Sequence, residues 1–329
     1  MKIAVVGATG LVGREMLKVL EEFGFNDCEL VPAASEKSAG SVTEFAGKQF
    51  TVLTIEKALE EKPEIALFSA GGEVSRYWAP KFAEMGCYVI DNSSAWRMDA
   101  DVPLVVPEIN GNLLTSGQHL IANPNCSTIQ LVMVIAPLHR QYGIERMVVS
   151  TYQSVSGSGQ KAMNQLDDER NGLSEVRKFY PHPIDLNCIP HCDDFADLGY
   201  TKEEWKLINE SKKILSDHDL KITATCVRVP VIGGHSESVN ITLKKEFQLN
   251  DVYELLAKTP GVIIEDHPVV NEYPMPFRAR GRNEVFAGRI RRDFTLKNSL
   301  NLWIVADNLR KGAATNAVQI ASLIKRKFL

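Results

Sequence analysis

Short apolar runs alternate with stretches of helical period through the first third of this chain. Lys2 to Val6 reads as a buried strand, and from Leu11 onward Met16, Leu17, Leu20 and Phe23 recur at helical spacing, with Gly24 placed to end the helix. Further strands are expected at Cys28 to Ala33, Gln49 to Leu53, Ile65 to Ser69 and Cys87 to Ile90, with an extended run at His119 to Ala122. Strands separated by helical patterns predict a parallel sheet. Ala70 to Gly72 and Asp91 to Ser94 fall at strand carboxyl ends, where ligand crevices of such sheets form. From about Arg146 the texture changes. Longer alternating strands are expected at Met147 to Ser154, Ile222 to Val229, Ser238 to Lys244, Val285 to Arg291 and Leu300 to Val305, with helices at Gly159 to Arg170, Lys202 to Leu215 and Val252 to Lys258. That pattern predicts a mixed, largely antiparallel second domain. A last helix, Lys311 to Lys327, is long enough to return to the first domain. The expected division is residues 1–127 with 309–329 as one domain and 128–308 as the other.

Between the first strand and helix lie Gly7, Ala8, Thr9, Gly10, Leu11, Val12 and Gly13. Glycines at these positions permit the tight turn, let the backbone approach a pyrophosphate and allow close packing of helix on strand. A glycine pattern alone says little, but its place between a strand and an amphipathic helix points to a Rossmann-like dinucleotide site. The second strand delivers the chain to Ser35, Glu36, Lys37 and Ser38. NAD sites usually set an acidic side chain against the ribose 2′-hydroxyl, whereas a 2′-phosphate needs hydroxyls and a cation. Ser35, Lys37 and Ser38 suit NADP, and Glu36 is the discordant neighbour.

Composition narrows the class. The chain has 329 residues, 44% of them apolar, and a net charge of −4, which describes a globular protein with room for two cores. The longest apolar run, Leu131 to Leu138, falls far short of the roughly 20 residues that cross a bilayer. Lys2 ahead of an apolar stretch imitates a signal peptide, but Thr9 and the glycines interrupt it, and a cytoplasmic protein is expected. The six cysteines have neither the density nor the spacing of a disulfide framework. Cys188, His191 and Cys192, with His182 as a fourth ligand, admit a zinc reading, although structural zinc sites usually show paired spacing, so no metal is expected.

Cys126, in the run Asn123 to Thr128, opens the helix whose apolar stretch is Ile129 to Leu138. The unpaired N–H groups and the dipole of a helix N-terminus favour negative charge, so a thiol there is biased toward the nucleophilic thiolate. A buried cysteine acting as a small hydrophobe is the alternative. Arg228 falls on the strand face of Ala224 and Cys226, where a guanidinium wants either a substrate carboxylate or an internal acidic partner. His235 follows Gly233 and Gly234 at the start of a strand, displayed on a turn, where it suits proton transfer near a reactive thiol. Arg278, Arg280, Arg282, Arg289, Arg291 and Arg292, interleaved with Phe277, Phe286 and Phe294, superficially imitate a nucleic-acid surface, but the acidic balance of the chain argues for a solvated or interface face and no nucleic-acid partner.

Taken in order, GATGLVG at 7–13, AASEKSAG at 33–40, NSSAWRMD at 92–99, NPNCSTIQ at 123–130 and RVPVIGGHS at 228–236 resemble the motifs of the aspartate-semialdehyde dehydrogenases, and the resemblance spans essentially the whole chain. It implies an α/β fold with a Rossmann-like parallel-sheet domain and a mixed α+β domain for substrate and dimerisation. The implied activity is NADPH-dependent reductive dephosphorylation of L-aspartyl 4-phosphate to L-aspartate 4-semialdehyde through a cysteine thioester, in lysine, diaminopimelate, methionine, threonine and isoleucine biosynthesis. Carried over by position, the resemblance makes Cys126 the nucleophile, Gln153 the residue that orients substrate and His235 the acid–base group. It assigns the substrate carboxylate to Arg228, the amino group and phosphate to Glu203 and Lys206, and the phosphate also to Arg97. Thr9, Gly10, Leu11, Val12, Ser35, Ser38, Ser156, Gly157 and Asn308 match cofactor contacts, joining Gly7, Gly13 and Lys37. Lys37 stands where the family often has arginine, which keeps the charge and loses the fork. The resemblance also implies a homodimer or a dimer-based tetramer. A related acyl-phosphate reductase such as N-acetyl-glutamyl-phosphate reductase, or a non-catalytic NADP-binding module, are the alternatives, separated by substrate assays and by thiol reactivity.

Overall fold

Strand β1 (Lys2–Val6) carries Ile3 and Val5 to one face of a sheet and Ala4 and Val6 to the other, and all four side chains are fully buried. A strand covered on both faces reads as one apolar run, the mark of a parallel sheet between helices. The computed structural model describes residues Met1 to Leu329 and divides into two units, Met1–Asn125 with Ala313–Leu329, and Cys126–Gly312.

In the first unit, β2 (Glu29–Ala34) pairs parallel with β1, and a separate hairpin joins β3 (Val42–Phe45) to β4 (Lys48–Thr51). β5 (Leu53–Thr54), β6 (Ile65–Phe68), β7 (Tyr88–Asp91) and β8 (Leu120–Ala122) complete a six-stranded sheet in the order β5-β2-β1-β6-β7-β8, parallel throughout. Met16, Leu17 and Leu20 of the helix Leu11–Glu22 pack on one face together with Val318, Ala321 and Ile324 of the helix Thr315–Phe328. Ala58, Ala79 and Phe82 cover the other face. The run Gln49 to Leu53, expected as a single strand, is broken at Val52. Ala46 and Gly47 take positive φ of 50° and 72°, which folds a tight two-residue hairpin and commits residues 48–51 to β3. Leu53 and Thr54 then join the main sheet beside β2.

In the second unit, β9 (Ile144–Ser154), β10 (Lys221–Val229), β11 (His235–Leu243), β12 (Val262–Ile264), β13 (Val285–Arg292) and β14 (Ser299–Ala306) form a mixed sheet in the order β10-β9-β11-β14-β13-β12. The three central pairings are antiparallel and the two outer ones parallel. Strand β12 is too short for an alternating pattern to reveal. Met147, Val149, Val239, Ile241, Leu300 and Leu302 point inward and are buried beneath the helix Cys126–Tyr142, which contacts β9, β11, β13 and β14. The opposite face carries Tyr152, Ser238 and Trp303, with the Tyr152 and Trp303 rings 5.4 Å apart. No helix is long and apolar enough to cross a membrane.

Candidate active site

In the first unit, Gly7 adopts φ of +91° and its N–H donates to the Ala33 carbonyl at 2.8 Å. A Cβ on Gly13 would lie 2.1 Å from the Gly7 carbonyl oxygen, so the helix and the loop can approach this closely only with glycine there. Gly10 precedes the helix Leu11–Glu22 without a side-chain cap, which leaves its first N–H groups for an anion. Ser35 and Lys37 are exposed and Ser38 half-buried in a turn just past β2, with Ser38 N–H donating to the Ser35 carbonyl at 2.8 Å. Loop and tip together suit a dinucleotide. Arg97 is also in this unit and is buried; its Nε donates to the Asn123 carbonyl and its Nη2 to that of Asn92, both at 2.9 Å.

The second unit opens with Cys126, the first residue of its helix. Behind it, Gln153 near the end of β9 donates from Nε2 to Ser127 Oγ at 2.9 Å and to Glu203 Oε1 at 3.3 Å. Two adjacent glutamates divide the labour at the start of the helix Lys202–Leu215. Glu204 closes a capping box with Thr201 and accepts the Cys226 N–H, which is a structural role. Glu203 faces Gln153 and Lys206, with Lys206 Nζ 3.2 Å from Glu203 Oε2. Lys206 Nζ also donates to Asp193 Oδ2 at 2.6 Å.

Ser154, the last residue of β9, gathers the remaining groups. Its N–H donates to His235 Nδ1 at 3.0 Å, and its carbonyl accepts from Arg228 Nη1 at 2.6 Å. Its hydroxyl lies 2.7 Å from that of Ser156 and accepts the Gly233 N–H, and Ser156 Oγ donates to Asn308 Oδ1 at 2.9 Å. A Cβ on Gly157 would lie 3.0 Å from His235 Nε2 and 3.1 Å from Arg228 Nη1, so a side chain here would push both groups aside by a few tenths of an ångström. Gly312 lies as close to Cys126, since its Cβ would lie 2.8 Å from Cys126 Cβ.

One expectation changes. His235 is not displayed on a turn; it is the first residue of β11 and fully buried. Burial, reinforced by the charge of Arg228, pushes its pKa down to about 3, so the ring is neutral at physiological pH. Because Nδ1 accepts a hydrogen bond, the proton of the neutral ring sits on Nε2, which has no protein partner. Cys188, His191 and Cys192 form no metal-holding group: Cys188 is exposed, Cys192 buried, and all six cysteines are free. Arg228 is buried with its Nε unpartnered. Burial opposes its charge, yet Cys192, Tyr180, Glu203 and Cys126 around it leave its pKa above the ordinary value. Ser154 and Asp193 carry no motif and were invisible as site residues in the sequence, because their roles come from where neighbouring strands and loops end.

A family profile described as semialdehyde dehydrogenase, NAD binding domain, matches residues 2–116, and one described as semialdehyde dehydrogenase, dimerisation domain, matches residues 135–311. An aspartate-semialdehyde dehydrogenase of Aquifex aeolicus is 52% identical, over 100% of this chain and 99% of the relative. The chain belongs to the aspartate-semialdehyde dehydrogenases. Another member of that family, from Bacillus subtilis, is 46% identical over 99% of this chain and 98% of its own. Among solved structures, aspartate semialdehyde dehydrogenase II of Vibrio cholerae complexed with ASA superimposes with a TM-score of 0.95 at 44% identity, covering 100% of this chain and 99% of that one. The aspartate-semialdehyde dehydrogenase fold thus extends over both units.

Proposed function

We propose that this enzyme reduces L-aspartyl 4-phosphate to L-aspartate 4-semialdehyde with NADPH, in the cytoplasm, through a thioester on Cys126. The observation that carries the reading is a pair of buried nitrogens, Arg228 Nε and His235 Nε2, that lack any protein acceptor in the unit that begins at Cys126. Buried donors of this kind are costly unless a ligand completes them. Arg228 would take the substrate carboxylate, Glu203 the amino group, and Lys206 with Arg97 the phosphate.

The thiolate of Cys126 attacks the acyl carbon, the C–O bond to phosphate breaks, and phosphate departs. His235, protonated at Nε2, donates a hydrogen bond to the oxygen on the acyl carbon as charge develops there, together with N–H groups of the helix start. Gln153 is held by Ser127 and Glu203 and orients the acyl group. The nicotinamide cofactor, when bound, supplies the hydride that reduces the thioester. Gly7, Thr9, Gly10, Leu11, Val12 and Gly13 would cradle its pyrophosphate, Ser35, Lys37 and Ser38 its 2′-phosphate, and Ser156, Gly157 and Asn308 its nicotinamide end. Release of the aldehyde returns Cys126 as thiolate.

The dimerisation profile on residues 135–311 supports a homodimer, and we assign its contact to the outer sheet face around Tyr152 and Trp303, beside a groove of about 460 Å³ lined by Ser238, Tyr273, Arg289 and Arg291. Trp303→Glu should then give a monomer in sedimentation. For the chemistry, intact-mass analysis of enzyme mixed with semialdehyde and NADP in the absence of phosphate should reveal an acyl adduct, lost in Cys126→Ala. No adduct would refute the covalent route. Phosphate-dependent oxidation assayed with NADP and NAD separately fixes the cofactor.

A further inference from the structure

The segment from Cys188 to Asp194 is neither helix nor strand, and the zinc reading does not account for it. It is nevertheless tied to two substrate groups. Ile189 and Arg228 exchange backbone hydrogen bonds of 2.9 and 2.8 Å, an isolated antiparallel bridge at the end of β10. Four residues on, Asp193 turns with φ of +66°, a conformation aspartate tolerates better than most residues, and the Asp194 N–H donates to its Oδ1 at 2.9 Å. That leaves Oδ2 for Lys206 Nζ, at 2.6 Å.

Lys206 is therefore bracketed by two carboxylates when no anion is bound. Glu203 is the fixed one, since it is buried and its other oxygen holds Gln153. Asp193 is the more exposed, with about a third of its side chain open to solvent. Its oxygen occupies the donor that a phosphate oxygen would need. Burial disfavours both charges, but the contacts between Lys206 and its acidic neighbours hold the lysine above its ordinary pKa and Asp193 below its own.

We propose that Asp193 is an internal competitor for the phosphate group: it holds Lys206 while the site is free of anion, is displaced when the acyl phosphate binds, and recaptures the lysine as phosphate departs. The inference rests on Lys206 being a phosphate ligand. Binding phosphate tightly would hinder the step in which it leaves, and a resident carboxylate sets that affinity lower without altering contacts to the rest of the substrate.

Asp193→Asn tests this, because asparagine keeps the oxygen that accepts the Asp194 N–H and tolerates the left-handed turn. In the oxidative direction the KM for inorganic phosphate should fall by roughly two- to fivefold, the span of a partly exposed ion pair. Product inhibition by phosphate in the reductive direction should tighten by the same factor, while the semialdehyde KM and the melting temperature stay put. An unchanged or raised phosphate KM overturns the proposal. Lys206→Ala separates the two layers of the argument. If it leaves phosphate kinetics unaltered, the phosphate role of Lys206 itself is wrong; if it raises the phosphate KM and Asp193→Asn does not lower it, only the competition fails.

Discussion

The backbone N–H of Ser154 donates to Nδ1 of His235 at 3.0 Å, and this one bond decides which ring nitrogen carries the proton. It makes His235 a hydrogen-bond donor at Nε2 in its neutral form. His235→Gln should lower kcat by about 10²- to 10³-fold with little change in the semialdehyde KM, as expected for a donor used mainly in the transition state. Stability offers an independent reading. The free ring titrates at 6.5 and the folded one near 3, so between those values the unfolded chain binds more protons and stability falls as pH is lowered. Melting curves from pH 7 to pH 4 should decline less steeply in the glutamine variant.

Arg228 spends Nη1 on the Ser154 carbonyl and keeps Nε unpartnered. A lysine at this position keeps the charge and loses the fork. Arg228→Lys should raise the semialdehyde KM by roughly ten- to a hundredfold, the worth of one charged hydrogen bond, with a much smaller effect on kcat. Steady-state kinetics that match the parent enzyme would remove Arg228 from the substrate.

Gly312 leaves no room for a side chain against Cys126. Gly312→Ala has to displace Cys126, and on the proposed role of that thiol even a small misplacement of a reacting atom is expensive. Turnover should fall by about 10²-fold or more, whereas cofactor titration, which reads the loop at residues 7–13, should be unaffected.

Lys37 is exposed at the tip that follows β2. Lys37→Ala should raise the KM for NADP by about two- to fivefold and leave the KM for NAD unchanged, because only the former carries a 2′-phosphate. Equal effects on both cofactors would place the lysine elsewhere.

Glu237 lies two residues beyond His235 and is fully buried. Burial holds its pKa well above the ordinary 4.5, with Gln130 only partly opposing the shift. As pH rises past 4.5 the unfolded chain gives up a proton that the folded chain keeps, so stability falls with pH until the folded group ionises. Glu237→Gln removes that loss. Its stability advantage should grow as pH rises above 4.5, by up to about 1.4 kcal/mol per pH unit until the folded group ionises, read from melting curves at successive pH values. A constant offset would indicate packing instead of protonation.

The parts of the fold with a strong period were legible in the sequence. β1 and the helix after it, the glycine loop between them, and the long strands β9, β11 and β14 all follow from spacing, because each buries a regular set of side chains. The break at Val52 was hidden, since it depends on a turn at Ala46 and Gly47 that an apolar pattern does not encode. Site residues divide the same way. The place of Cys126 at a helix start and that of His235 after two glycines are legible in the sequence, but the burial of His235 is not, because a strand end can be covered by a loop distant in sequence, here residues 154–157. Ser154 and Asp193 act through backbone geometry and a side-chain contact made across the fold, which no local pattern specifies.

Cys126 begins a continuous stretch, ending at Gly312, that also holds Gln153, Glu203, Lys206, Arg228 and His235, while the tip at Ser35 to Ser38 belongs to the other unit. On the proposed roles, those acyl-handling groups and the tip that selects the coenzyme are inherited on separate pieces of the gene. If those roles hold, evolution or an engineer can rewrite the preference for one coenzyme in a handful of codons without disturbing the proposed acyl-handling groups of the second unit.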